Sequence, residues 1–170
     1  MGIYRRPLEG QAIMIPDDVK AVPVVTALME ALPEAAVAGK LERGELTLGI
    51  VVEKIVEVCR FLKHEQKFVR VSTVTGVDWY PEEPRFEVVY HLHAPERREW
   101  LRLKCRLAGA DPEIDSVTGV WRGANWYERE TFDLFGITFR NHPNLKRIML
   151  PEDWEGYPLR KDYPVTGDRV

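Results

Sequence analysis

Residue types that do chemistry are sparse in this chain and poorly spaced for it. His91 and His93 are two residues apart, so a strand puts both imidazoles on one face, where they could act as two ligands of a metal ion. No Cys, Asp or Glu joins them at a metal-motif spacing, and neither HExxH nor CxxC occurs. A solvated strand face is the favoured reading of the pair. His64 ends a helical pattern, where a donor near the last carbonyls is explanation enough. Cys59 and Cys105 lie inside apolar patterns and read as small buried hydrophobes in a reducing, cytoplasmic setting. They cannot ligate an iron–sulfur cluster alone, since that takes about four ligands.

The densest titratable cluster is Glu128, Arg129, Glu130 and Asp133. Two carboxylates there could act as general acid and base. Their spacing has a simpler use. Arg129 and Asp133 stand at i and i+4, and Glu128 and Glu130 fall in the first turns of a helix, where negative charge is favoured. Asn125 reads as an N-cap with Glu128 as its capping-box partner, and Gly136 as the C-terminal stop. A structural or interface role is expected over catalysis. Phosphate loops of the GxGxxG or Walker type and a GxSxG nucleophile elbow are absent.

The elements that must position these residues follow from periodicity. Helices are expected over residues 21–32, with Pro23 in the first turn, and over 52–64, where Ile55, Val58, Cys59 and Leu62 share a face. Strands at 37–42 and 45–50 flank the turn Arg43-Gly44. Residues 68–77 are rich in Val and Thr, and Phe86, Val88, Tyr90 and Leu92 alternate after a Pro-rich turn. Leu101, Leu103, Cys105 and Leu107 alternate against Trp100, Arg102, Lys104 and Arg106, a half-buried strand with a cationic outer face. Residues 116–121 read as a helical turn. The expected fold class is α+β: helices packed on one mixed, mostly antiparallel sheet, followed by an extended C-terminal tail. The domain, residues 1–136, ends in the Glu-Arg-Glu helix, and residues 137–170 form the tail.

Composition narrows the partners. The 170 residues are 45% hydrophobic and 30% charged, the profile of a soluble globular chain, with a net charge of -3. That balance speaks against nucleic acid, even with the Arg102, Lys104 and Arg106 face. No apolar run approaches the roughly 18–20 residues that span a bilayer. No h-region follows Met1, so a secretory signal is not expected, and any membrane role would be indirect, through another protein.

The tail carries the strongest signal. Pro143, Pro151, Pro158 and Pro164 leave no room for a useful helix, yet Phe139, Leu145, Ile148, Met149, Leu150, Trp154, Tyr157, Leu159 and Tyr163 crowd the segment. Disordered tails lack such groups. Lys146, Arg147, Arg160 and Lys161 alternate with Glu152, Asp153, Glu155 and Asp162, which suits a protein surface better than a phosphate backbone. The tail either folds back on its own domain or lies in a groove of another protein. The second is the expectation, because a long irregular segment inside a compact domain is uncommon.

The run Ala124-Asn125-Trp126-Tyr127-Glu128-Arg129-Glu130-Thr131-Phe132-Asp133-Leu134-Phe135-Gly136-Ile137 resembles the signature of the complex I 30-kDa subunit family, the C-type subunits of proton-translocating NADH–quinone oxidoreductase. The likeness continues from His142-Pro143-Asn144-Leu145-Lys146-Arg147 to Asp162-Tyr163-Pro164, and more loosely at Val77-Asp78-Trp79. It implies a non-catalytic subunit with no cofactor of its own, FMN and iron–sulfur clusters being carried by partner subunits. It implies a peripheral place on the cytoplasmic side of the cell inner membrane, embracing the 49-kDa-type (D-type) subunit among other peripheral-arm proteins. On that basis Glu128, Arg129, Glu130 and Asp133 are expected to orient the tail's exit. His142, Arg147, Trp154, Leu159, Arg160, Asp162 and Tyr163 are expected to anchor it on the partner. Some family members continue past the Asp-Tyr-Pro element, whereas this chain stops at Val170, so part of the family's partner contacts is expected to be missing. The alternative is a homologous subunit of a membrane-bound nickel–iron hydrogenase or of a ferredoxin/F420-linked quinone reductase. A stand-alone metal enzyme using His91 and His93 is the reading from another class.

Overall fold

The computed structural model describes residues 15–164, so the expectations placed on Met1 and Val170 lie outside the described residues. A single helical turn, α1 (Asp17–Lys20), precedes α2 (Pro23–Ala31), which begins on a proline that has no amide to leave unbonded. β1 (Ala36–Glu42) and β2 (Glu45–Ile50) form a hairpin whose two turn residues, Arg43 and Gly44, have φ of 52° and 80°. Positive φ at both positions is what a two-residue turn needs to match strand twist. A 3-10 turn, Val52–Lys54, leads into α3 (Ile55–His64), where Ile55, Val58, Cys59 and Leu62 are all buried as their spacing requires.

Three long strands follow: β3 (Arg70–Asp78), β4 (Phe86–Ala94) and β5 (Glu99–Leu107). They join the hairpin in one sheet of order β1-β2-β5-β4-β3, in which only the β2–β5 pair is parallel. The fold is therefore α+β on a mixed, mostly antiparallel sheet. Phe86, Val88, Tyr90 and Leu92 of β4 and Leu101, Leu103 and Cys105 of β5 are buried against the helical layer. Full burial of each Val, Leu or Phe among them contributes roughly 1.5–3 kcal/mol, and the helices bury their own apolar faces in the same core.

The sheet's other face is polar but not free. Glu87, fully covered, accepts from Lys104 Nζ at 2.8 Å and lies 4.0 Å from Arg106, so the cationic stripe is partly neutralised from within the sheet. His91 Nε2 accepts from Arg102 Nε at 2.9 Å, and His93 stacks on Trp100 with ring centres 4.1 Å apart. Both histidines are thus engaged across the strand pair, and no cluster of three metal-ligating side chains occurs among the described residues.

Three elements were not anticipated, the α1 turn and two short strands. β6 (Glu113–Asp115) and β7 (Thr138–Arg140) pair in parallel as a separate two-stranded sheet on either side of α4 (Ala124–Phe135). Three-residue strands are too short to register as an alternating pattern. Their pairing returns the chain to the domain immediately after α4. Beyond it the described part of the tail, to residue 164, has no helix, as its prolines dictate. It proceeds by turns rather than as one extended strand, with bonds such as Trp154 N–H to Pro151 O and Arg160 N–H to Tyr157 O.

Candidate partner-binding site

α4 is the element around which the tail is organised. Ala124, Glu128, Thr131 and Phe135 recur at helical spacing and face the domain, and Thr131 Oγ1 donates to the Tyr127 carbonyl and to Val74 O of β3. The expected capping box does not form. The helix begins at Ala124, one residue before Asn125, and no side chain caps it. The preceding turn continues into the helix, with Ala124 N–H bonded to Trp121 O and Asn125 N–H to Arg122 O. Glu128 is released to point inward. Its two oxygens accept from Ser116 Oγ at 2.6 Å and from the Val117 amide at 2.7 Å, so it ties the expected 116–121 turn to the helix. Burial pushes its carboxyl up to about 7, and the two hydrogen bonds only partly oppose that. His142 Nε2 lies 3.9 Å from it, too far for a hydrogen bond, and both side chains are wholly buried. Burial lowers the His142 pKa, and its Nδ1 accepts the Asn144 amide at 3.0 Å.

The i, i+4 pair of Arg129 and Asp133 does not form either. Each side chain reaches across to the tail instead. Arg129 donates to the carbonyls of Lys146 and Arg147 while lying over the Trp126 ring. Asp133, fully buried, accepts three successive amides on one oxygen: Ile148 at 2.9 Å, Met149 at 2.7 Å and Leu150 at 3.0 Å. Its other oxygen takes Arg147 Nη1 at 2.7 Å. Burial alone would raise this carboxyl, but the amides and the guanidinium outweigh it and hold the group below its ordinary value. Arg147 also donates to the carbonyls of Trp154 and Gly156, which folds the loop around its guanidinium.

A second clamp holds the end of the described tail. Arg85 forks onto Asp78, with Nε to Oδ1 at 2.9 Å and Nη2 to Oδ2 at 2.8 Å, and also pairs with Asp162. The Lys161 amide donates to Asp78 Oδ2 at 2.8 Å. Burial opposes the Asp78 charge, yet Arg85 and the amides of Lys161 and Tyr80 hold the carboxyl at about 2. Between the clamps, Leu159 N–H bonds to Leu134 O, and Arg160 donates to Phe135 O at 2.7 Å while its guanidinium lies over the Phe86 and Tyr157 rings. Gly136 is required twice here. Its φ of 69° ends α4, and a Cβ would sit 2.5 Å from the Tyr157 ring and 2.6 Å from Arg160. Gly136→Ala is expected to cost about 1–3 kcal/mol, from left-handed strain plus the displaced tail. Thermal melts of the two chains check this, and an unchanged Tm would show that the tail does not press on the helix end.

Beyond His142 no residue of the described tail is fully buried, even though the segment is rich in aromatic and aliphatic groups. Met149 keeps 63% of its surface exposed and Leu159 50%, while Trp126 on the neighbouring face of α4 keeps 61%. The tail is pinned from below by polar bonds and presents apolar groups outward.

Residues 48–169 match the family described as the respiratory-chain NADH dehydrogenase 30 Kd subunit. The chain belongs to that family. The C-type subunit of NADH-quinone oxidoreductase from Roseiflexus sp. (strain RS-1) is 47% identical over 149 residues, covering 86% of each chain. The C-type subunit from Geobacter sulfurreducens is 49% identical over 126 residues, covering 74% of this chain and 78% of its own. Among solved structures, an archaeal membrane-bound sulfane sulfur reductase superposes with a TM-score of 0.72 at 28% identity, covering 86% of this chain and 87% of that one. A trypsin-resistant Nqo5 fragment superposes at 0.58 with 29% identity, covering 71% of this chain and 97% of its own.

Within this 30-kDa subunit fold the residues singled out in the sequence divide by what they touch. Arg129, Asp133, Arg147, Arg160 and Asp162 bind the tail to the domain, and Glu128 and His142 lie beneath it. Tyr163 Oη reaches Glu155 O at 3.5 Å, and half-buried Trp154 gives its carbonyl to Arg147. Glu130, Leu159 and Asp162 are the three that are exposed, and Glu130 makes no ion pair among the described residues. Sequence reasoning missed Arg85, Ser116 and the role of Asp78. Only Asp78 left a trace, in the Val77-Asp78-Trp79 step of the family resemblance.

Proposed function

We propose that this chain is a cofactor-free structural subunit of the peripheral arm of proton-translocating NADH–quinone oxidoreductase. In this reading its tail layer covers the 49-kDa-type (D-type) subunit, and it supports electron transfer from NADH to quinone through FMN and iron–sulfur clusters in other subunits. The complex is held on the cytoplasmic face of the membrane, and this chain reaches the bilayer only through its partners. No helix of the described residues is long and apolar enough to cross a membrane. The observation that carries the reading is a family member whose tail is fixed in shape by its own domain yet, past His142, fully buries none of its apolar groups and leaves Met149 and Leu159 at least half exposed. A tail ordered before contact loses less entropy on docking than a disordered one. Glu128, Arg129, Asp133, His142, Arg147, Arg160 and Asp162 act as positioning residues, while Glu130, Trp154, Leu159 and Tyr163 meet the partner.

The likeness to the sulfane sulfur reductase supports a second reading, in which the same scaffold serves a related respiratory complex with another electron donor, such as a hydrogenase or a ferredoxin-linked reductase. Purification of the tagged full chain from mildly solubilised membranes separates the two. Recovery of a 49-kDa-type subunit with NADH-binding subunits is expected, and Leu159→Glu should reduce that recovery about tenfold or more, as a buried charge at an interface centre does. Hydrogenase subunits in their place would support the second reading. A chain recovered alone from the soluble fraction would count against both.

A further inference from the structure

At the end of the sheet opposite the tail clamps, a groove of about 640 Å³ opens between the β1–β2 hairpin tip, the start of α2 and the turn joining β4 to β5. β4 runs from Phe86, over which Arg160 lies, to Ala94 beside the groove, a span of about 26 Å at roughly 3.3 Å per residue. The groove and the tail layer are therefore separate surfaces. Leu46, Phe68 and Leu101 form its apolar floor, and Leu41 and Trp100 stand on its rim, exposed by 41% and 55%.

Its charges are not balanced. Both acids that line it are already used, Glu99 by Arg97 at 2.9 Å and Glu45 by Arg102 at 2.9 Å. Arg43 and Arg98 also line it, are exposed, and make no ion pair among the described residues. Both sit at the tips of turns in the left-handed region, with φ of 52° and 56°. Two unpaired guanidinium groups thus border an apolar slot with one half-exposed indole.

We propose that this groove is a second docking site, and that it receives an acidic segment of a partner protein carrying an apolar or aromatic anchor. The slot is far larger than a simple anion needs and its floor is hydrocarbon, so the occupant brings a side chain to bury as well as negative charge. Arg43 and Arg98 are set apart on two different turns, which suits carboxylates flanking an anchor along an extended peptide. A polyphosphate is the poorer fit, because it brings no apolar group to bury on the floor of Leu46, Phe68 and Leu101 and the sequence holds no glycine-rich phosphate loop. The inference relies on the proposed function only for where the partner is sought, namely among other subunits of a respiratory complex.

The test uses the full chain in its own membranes, with a benzophenone amino acid in place of Leu41 on the rim. Irradiation should join it to one segment of another subunit, in which two or more Asp or Glu residues flank a large apolar residue. Combining Arg43→Glu with Arg98→Glu should lower the yield about tenfold, as opposed charges do when they become like charges. Arg43→Lys with Arg98→Lys should retain most of it, and exchanging the partner's acids for lysine should restore the charge-reversed variant. A chain present in the assembled complex that gives no inter-subunit adduct, an adduct on lipid or on a segment without acids, or a yield indifferent to charge reversal would overturn the proposal. Charge-dependent cross-linking by a chain found outside the respiratory complex would leave this site standing and count against the proposed function instead.

Discussion

Replacing Asp133 with alanine is expected to destabilise the protein by about 3–5 kcal/mol, the usual loss when one partner of a buried ion pair is removed. The side chain is wholly buried and serves four donors at once, the amides of residues 148–150 and Arg147. Each buried amide left without an acceptor costs about 1–3 kcal/mol, so the simple sum exceeds the expected figure. The difference is the escape open to the tail, which can lift away and give its amides to water. That limits the loss to the free energy of docking the tail. Urea melts measure the first quantity and limited trypsin digestion the second, since Lys146, Arg147, Arg160 and Lys161 become cleavable in a lifted tail. Asp133→Asn should lie between wild type and Asp133→Ala, because one carbonyl oxygen can still accept amides while its NH2 group meets Arg147. The pH dependence has a definite sign. A carboxyl held below its ordinary value of 3.8 contributes stability above that pH, and the contribution disappears as pH falls through the folded-state value. The same holds for Asp78, whose share is lost between about pH 4 and 2. Wild-type melting and wild-type trypsin resistance in both Asp133 variants would mean the tail is held by something else.

Asp133 also marks the point where local sequence rules and the fold part company. Arg129 and Asp133 stand at i and i+4, and local rules pair them. An exposed pair of that kind contributes only about 0.3–0.5 kcal/mol. Hydrogen bonds to a charged group contribute about 1.5–3 kcal/mol each, and Asp133 finds four of them across a gap of 14 to 17 residues. The stronger, non-local set wins, and no periodicity marks it. Arg85 with Asp162 and Asp78 with Lys161 are more distant still, separated by 77 and 83 positions. By contrast α3, the β1–β2 hairpin and β5 were legible because each rests on a local pattern: a helical stripe, a two-residue turn, an alternation. The apolar content of the tail was legible too. Its route was not, because many of the bonds that hold it run to backbone amides and carbonyls, which every sequence possesses, and its ion pairs join residues far apart in the chain.

Glu128→Gln is expected to flatten the pH dependence of stability between about 4.5 and 7, where wild type should weaken as pH rises. The carboxyl is ordinarily half-ionised at 4.5 and in the folded protein at about 7, so across that window the unfolded chain gives up its proton first. Stability from this group is complete below 4.5 and is lost as pH climbs through 7. A gap of that size amounts to about 3 kcal/mol at pH 8 as an upper limit. The groups around it act differently. His142, 3.9 Å away, has its pKa lowered by burial, so it favours the fold as pH rises toward 6.5, with the opposite slope. The buried Cys59 thiol and Tyr90 hydroxyl are pushed upward by burial and stay neutral throughout the window. Asp78 and Asp133 have finished titrating below it. The difference between the wild-type and Glu128→Gln stability curves removes the terms that both share, and it should fall steadily from pH 4.5 to 7 and then level off. Glutamine keeps an oxygen for the Val117 amide and offers its NH2 group to Ser116, so the buried turn remains bonded and the variant should be the more stable protein at pH 8. If the two curves run parallel from pH 4.5 to 8, Glu128 is ionised in the folded state at neutral pH. Its charge would then have to be compensated by His142 in the protonated form, which a histidine titration followed by NMR would reveal as a raised His142 pKa in place of a lowered one.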